Sequence, residues 1–401
     1  MNDLRKLVGK HEEPLLTFLQ DLVRLKSVNG RHSEKAVAER IVVEAIQLGL
    51  PAQLIAKEPL RPNALVRWGS GARGFALIGH LDTVAAGDVN QWTSPPFKPV
   101  LRDGRLYGRG TADNKAGLAI GLYTLALLRD QGQLDPNEVS LILAGVSDEE
   151  SGASSELGVR YLLDEGHLPV QGAIYTYASD IVCVGHRGLL RLVLEAQGTA
   201  VHSGSDEWSR GEGGVNAVTG LAAILLQLEQ LSLPYESHPA FDHLGFTITP
   251  GTLFNGGEFE SMVPANATAV LDCRLMPGQA PEAVLAAIQT IIDAECAQRP
   301  GLHVAIQVKN RLPAATIPAE HPLAQIAQRH AETITGRTWP IRGAGPANEG
   351  YMLIRAGIPT LPGFGPTGGN AHAPDEWVAA DSLMETAVIY ANIIKDYLKI
   401  I

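Results

Sequence analysis

Two short runs limit the fold of this 401-residue chain more than any others: "FALIG" (75–79) and "VSLILAGV" (139–146), both almost unbroken in apolar residues. A strand with one face in water alternates apolar and polar side chains, whereas a continuously apolar strand needs cover on both faces. Helical patterns stand between and after them, "KAGLAIGLYTLALLRD" and "SSELGVRYLLDEG", followed by a third strand pattern, "GAIYTY". Strands of this kind separated by helices predict an α/β unit with a helix-flanked, mostly parallel sheet. Upstream, "EEPLLTFLQDLVRL" carries Leu15, Phe18, Leu19, Leu22 and Val23 at helical spacing. "SEKAVAERIVVEAIQLG" reads as a helix capped by Ser33 and stopped at Gly49.

The texture changes near residue 186. "LLRLVLEAQG", "ATAVLDCRLMP" and "HVAIQV" read as strands, with "GGVNAVTGLAAILLQLEQL" and "PEAVLAAIQTIIDAECAQ" as helices between them. This is an α+β unit of common domain size. The Pro-bearing stretch "KNRLPAATIPAEHP" follows as a linker, and then "LAQIAQRHAETITG", "IPTLPGF" and a final helix resume the first pattern. The expected organisation is a discontinuous α/β domain (1–186 and 311–401) with a second unit inserted at 187–310.

Hydrophobic residues make up 45% and charged residues 19%, enough for two cores. A net charge of -11 without a basic run argues against nucleic acid or an anionic membrane as partner. Three widely spaced cysteines, Cys183, Cys273 and Cys296, suit a reducing compartment. The N-terminus lacks the apolar stretch of a signal peptide, and no later segment has a membrane-span pattern. The expectation is a cytoplasmic protein.

Several acidic and histidine residues share one structural address. His80 follows "FALIG", Asp113 precedes a helix, Glu149 and Glu150 follow "VSLILAGV", and His372 follows "IPTLPGF". Loops at the carboxyl ends of strands are where open α/β sheets bind ligands. Each residue alone has a plain explanation: Asp113 as a helix cap, the glutamates as a solvated loop, His80 as a core histidine. Together, two imidazoles and several carboxylates form a ligand set that suits zinc. Asp82, two residues past His80, is placed to orient its imidazole.

The segments "GHLDTV", "WTSPPFKPVLRDGRLYGRGTADNKAG", "SDEESG" and "AHAPDEWV" resemble, in order and spacing, the family of acetylornithine deacetylase, succinyl-diaminopimelate desuccinylase, aminoacylase, carboxypeptidase G and carnosinase. The resemblance covers nearly the whole chain. It implies a co-catalytic metal hydrolase with two Zn2+ ions, or Co2+ or Mn2+ in their place. It also implies a ferredoxin-like lid domain that pairs two subunits into a homodimer. By position, His80 would bind one zinc, Asp113 would bridge both, and Glu150 and His372 would hold the second. Glu149 would be the general base. His202, in "GTAVHSG", would reach the partner's active site, and Arg274, in "LDCRLMPG", would grip a substrate carboxylate.

Two departures accompany the resemblance. A fifth carboxylate ligand is expected after "GAIYTY", where this chain has Thr176 and Tyr177, with Asp180 the nearest acidic replacement. Ser261, in "SMVP", stands where the family has asparagine. The leading expectation is an amidohydrolase acting on an N-acyl amino acid or a small dipeptide. The alternative is a catalytically weak relative that binds small molecules. A nucleotide-binding enzyme fits poorly, since "GRGTADNKAG" has neither a dinucleotide-binding glycine pattern nor a phosphate-loop lysine.

Overall fold

The computed structural model describes residues 2–401, with side chains described from residue 8 onward. The chain forms two compact units: one runs up to His186 and resumes at Ala315, and the other is Arg187–Ala314.

The first unit is built on a six-stranded sheet. Its strands are β1 (Ala52–Ile55), β2 (Asn63–Trp68), β3 (Arg73–His80), β4 (Val139–Val146), β5 (Ala173–Tyr175) and the two-residue strand Thr360–Leu361. The spatial order is β1-β2-β4-β3-β5 and then Thr360–Leu361. The β1/β2 and β2/β4 pairs are antiparallel, and the other three are parallel. Every residue of β4, and all of β3 after Arg73, is buried, as an unbroken apolar run requires. Helices α1 (Asn2–Arg24) and α2 (Lys35–Gln47) precede these strands, and α3 (Ala116–Gln131) comes between β3 and β4. α3 lies against the sheet, α1 and the last helix, Ala380–Tyr397, so its residues Ala116–Leu128 are all buried.

The first unit differs locally from expectation in three places. Glu34 is the N-cap residue of α2, because Ser33 Oγ, which accepts the Lys35 N–H at 3.1 Å, belongs to the turn before it. "SSELGVRYLLDEG" yields only the short helix Val159–Asp164, since Gly158, inside the pattern, has non-helical backbone. β5 ends at Tyr175, two residues short of the apolar pattern.

The second unit contains β6 (Gly188–Gln197), α4 (Ala217–Leu228), β7 (Thr247–Gly256), β8 (Asn266–Leu275), α5 (Pro281–Gln298) and β9 (His303–Leu312). The strands are antiparallel throughout in the order β7-β8-β6-β9. This β-α-β-β-α-β chain with that strand order is the ferredoxin-like arrangement. Leu190, Leu192 and Leu194 alternate along β6 and pack with Leu221 and Ile224 of α4 and Ile288 of α5.

Register in the parallel part of the first sheet fixes where chemistry can occur. His80 pairs with Val146 and Ile78 with Tyr175, so β3, β4 and β5 deliver their following residues to one edge. α3 starts against that edge: a Cβ on Gly117 would lie 2.4 Å from the Thr176 carbonyl oxygen. Gly117→Ala therefore forces the helix start, and the turn before it, away from the strand ends. The expected cost is about 1–3 kcal/mol, the usual range for overpacking, read as a lowered denaturation midpoint together with weakened metal binding. Wild-type values for both would show that the approach is not tight.

Candidate metal centre

The turn Thr111–Lys115, which leads into α3, carries Asp113. Its backbone is non-helical at Asp113 and Asn114, and the peptide between them is cis. Asn114 ties the turn to the strand ends: its Oδ1 accepts the His80 N–H at 2.9 Å, and its Nδ2 donates to the Thr176 carbonyl at 2.7 Å. From the other side, buried Glu376 accepts backbone N–H bonds from Gly110, Ala112 and Asp113 at 3.0, 2.8 and 2.9 Å. Its remaining charge is answered by the buried Arg109 at 2.6 Å.

So held, the Asp113 carboxylate stands between two imidazoles. Oδ1 meets His80 Nε2 at 2.7 Å and Oδ2 meets His372 Nε2 at 3.1 Å. Glu150 Oε1 lies 3.2 Å from the same His372 nitrogen. Ligand atoms of His80, Asp113 and Glu150 all fall within 4.8 Å of one another. The structure thus brings together four of the five residues expected to bind metal. Hydrogen bonds to Asp113 and Glu150 push His372 up to about 10. Burial would lower His80, but its bonds to Asp113 and Asp82 outweigh that and hold it well above the ordinary imidazole value. Burial likewise opposes ionisation of Asp113, yet the two histidines keep its carboxyl below the usual range. Mutually attracting imidazoles and carboxylates of this kind suit a divalent cation.

Glu149 and Asp82 surround this group without joining it. Glu149 is buried. Burial raises its pKa well above the carboxylate norm, with Glu150 and Asp113 adding to the effect and His80 opposing it. His80 Nδ1 lies 2.9 Å from the Asp82 main-chain carbonyl and 3.5 Å from its carboxylate. The Asp82 carboxylate instead accepts the N–H groups of Glu149 and Glu150 at 3.3 and 3.0 Å, so it shapes the acidic turn.

Sequence reasoning missed the residues behind that turn. Asn29 Nδ2 donates to both Asp82 and Asp148, at 2.7 and 2.9 Å. Arg61 pairs with Asp148 at 2.8 Å and also with buried Glu34. Of the three adjacent acids 148–150, Asp148 is therefore answered by an arginine, not by the metal group. No spacing in the sequence signals Asn29, Arg61 or Arg109, because each acts across the fold. Glu376 sits inside a motif but next to no partner in sequence.

The expected fifth ligand, Asp180, is exposed and falls outside the group. The turn before it is held elsewhere, with the Ser179 N–H on the Pro366 carbonyl. Tyr177 takes the place beside His80, with ring centroids 5.7 Å apart, and stacks on Tyr175 at 5.4 Å. Thr176 spends its N–H and hydroxyl on the Ile78 carbonyl. In the second unit, His202 is exposed with its Nδ1 accepting the Gly204 N–H. Arg274 is held by Asp272, Nε to Oδ1 at 2.6 Å, and Asp272 also binds Arg191 at 2.8 Å.

Beneath the tyrosine pair lies Glu349, fully buried, with one carboxylate oxygen unpartnered and the other 3.4 Å from the Tyr175 hydroxyl. Burial pushes its pKa up to about 8. The folded state then keeps a proton that the unfolded chain releases near 4.3. That contribution to stability is complete below the unfolded value and is lost as pH rises through the folded one. Wild type should therefore lose stability relative to Glu349→Gln between about pH 5 and pH 8, followed by thermal unfolding in chelator. Parallel pH profiles would show that Glu349 is ionised in the folded state.

Residues 76–396 match the profile described as Peptidase family M20/M25/M40. A probable succinyl-diaminopimelate desuccinylase of Staphylococcus epidermidis is 29% identical over 291 residues, which cover 66% of this chain and 69% of the relative. The dipeptidase Dug1p of Saccharomyces cerevisiae shares the fold with a TM-score of 0.77 at 15% identity, covering 99% of this chain and 98% of its own. A dinuclear metal binding peptidase of Bacillus subtilis does so with a TM-score of 0.70 at 14% identity, covering 98% and 100%. The family match spans both the strand-end residues and the inserted unit. The chain belongs to peptidase family M20/M25/M40 and is a metal-dependent hydrolase of amide bonds in peptides or acyl amino acids.

Proposed function

We propose that this enzyme removes the acyl group from an N-acyl amino acid or splits a small dipeptide, with His80, Asp113, Glu150 and His372 holding the metal and Glu149 as general base. The observation that carries the reading is the Asp113 carboxylate shared by two imidazoles, with Glu150 beside them and Glu149 buried but outside the ligand group. A cation held there supplies Lewis acidity and makes water easier to deprotonate. Glu149 takes the proton of the attacking water and returns it to the leaving nitrogen, which needs a carboxyl whose proton affinity exceeds that of an ordinary glutamate. Asp82 keeps the Glu149–Glu150 turn in place through both backbone N–H groups.

In the second unit, Arg274 would bind a substrate carboxylate, and His202 would donate to the developing oxyanion in a homodimer. The Arg191–Asp272–Arg274 cluster supports the first assignment, since two guanidiniums on one carboxylate leave net positive charge. Edge strand β7, with Leu253 and Phe254 exposed, and Leu226 on α4 support pairing through this unit. Among the described residues no helix is long and apolar enough to cross a membrane.

The test of the reaction is a screen of metal-stripped and Zn2+-, Co2+- or Mn2+-restored protein against N-acetyl and N-succinyl amino acids and dipeptides. Hydrolysis of one class, abolished by chelation, is expected. Metal binding with no turnover on any class would favour a binding protein. Glu149→Gln should lower kcat by about a hundredfold or more, as loss of a general base does, while metal content stays at the wild-type level. Metal lost in step with activity would make Glu149 a ligand. His202→Ala should lower kcat and leave the mass measured by light scattering at that of a dimer; a fully active monomer would remove both assignments.

A further inference from the structure

We propose that this chain holds one tightly bound divalent cation rather than two, and that Tyr177 closes the place beside His80 where a second would need a ligand. The inference rests on the metal-dependent reading above and concerns only how many ions the site takes.

The two oxygens of Asp113 face unequal surroundings. On the Oδ2 side, His372 Nε2 and Glu150 Oε1 lie 3.2 Å apart and His372 is 3.1 Å from Asp113. Those three protein ligands, with one position left for water or substrate, make a complete catalytic site; Glu150 also lies within 4.8 Å of the His80 and Asp113 ligand atoms, so a second ion would have to share that one carboxylate. On the Oδ1 side stands His80 Nε2, and its other nitrogen is committed to the Asp82 carbonyl. No third donor comes from β5. Thr176 has its N–H and hydroxyl on Ile78 and its carbonyl on Asn114. Asp180 is exposed and outside the group. The parallel register that pairs Ile78 with Tyr175 puts Tyr177 level with His80, and its ring lies against the imidazole. An aromatic ring thus fills the place beside the imidazole where a carboxylate ligand would be needed.

Charge points the same way. Asp113 and Glu150 are the carboxylates within the ligand group. Their two negative charges balance one dication, whereas a second would find no further carboxylate among the ligands in a largely buried site. The Asp82 carboxylate keeps its charge but offers no ligand atom there, because Asn29 and two backbone N–H groups already occupy it.

The experiment titrates metal-stripped protein with Zn2+ by calorimetry, with elemental analysis after dialysis. Wild type should retain about one equivalent per chain, as one three-ligand site holds. Tyr177→Phe should keep that equivalent at unchanged affinity, and Tyr177→Glu should retain a second. With two equivalents of Co2+ added, wild type should show no exchange-coupled pair by electron paramagnetic resonance, a measurement that stands whether or not Tyr177→Glu folds. Two tight equivalents or a coupled pair in wild type would overturn the proposal, as would a weakened ion in Tyr177→Phe or a single one in folded Tyr177→Glu. Two ions in wild type would leave the amide-hydrolase reading standing. No retained ion at all would overturn both.

Discussion

The interaction on which the centre depends is the buried carboxylate of Glu376. It accepts three backbone N–H groups from residues 110–113 and pairs with Arg109, all inside the protein. Those N–H groups would otherwise be unpaired in a turn that is not helical, at a cost comparable to losing hydrogen bonds outright. A buried ion pair adds little net stability by itself, but removing one partner costs roughly 3–5 kcal/mol, because the other is left charged and unsolvated. Glu376 lies four residues beyond His372. One carboxylate thus joins the turn that carries Asp113 to the segment that carries His372, the two residues proposed to share the metal.

The three adjacent acids at 148–150 show how like charges coexist at a strand end. Asp148 takes a left-handed conformation, which swings its side chain to Arg61 and Asn29. Glu150 faces His372, and Glu149 is left buried with its pKa raised. Each carboxylate has a different setting: Asp148 beside a guanidinium, Glu150 beside an imidazole, and Glu149 buried with its pKa raised. Environment, not residue type, separates a structural acid, the proposed ligand and the proposed base along three consecutive positions.

Much of the fold was legible because it follows from local pattern. The unbroken apolar runs of β3 and β4 imply cover on both faces, and their ends carry His80 and Glu149–Glu150. Alternation along "LLRLVLEAQ" implies the half-covered sheet of the second unit. What was not legible depends on approach between distant segments. Ser33 is a reasonable cap by type, yet Glu34 occupies the cap position and pairs with Arg61. Asp180 has the right chemistry and lies near in sequence, but the turn held by Ser179 keeps it exposed. Asn29, Arg61 and Glu376 act on side chains 27 or more residues away or on backbone, and none leaves a periodic trace.

Burial of Lys115 explains why the N-terminal helix belongs to the site at all. Its ammonium donates to the carbonyls of Leu22 and Leu25, at the end of α1, at 2.9 and 2.7 Å. Burial lowers its pKa to about 7, with Glu376 and Asp82 opposing. Carbonyls at a helix C-terminus lack intrahelical partners and carry partial negative charge, so a cation there satisfies both groups. The turn around Asp113 is then fixed from three directions: Lys115 to α1, Asn114 to the ends of β3 and β5, and Glu376 to the C-terminal segment. All three fasten backbone or residues adjoining Asp113, and none uses its carboxylate. That leaves both oxygens of Asp113 to face His80 and His372.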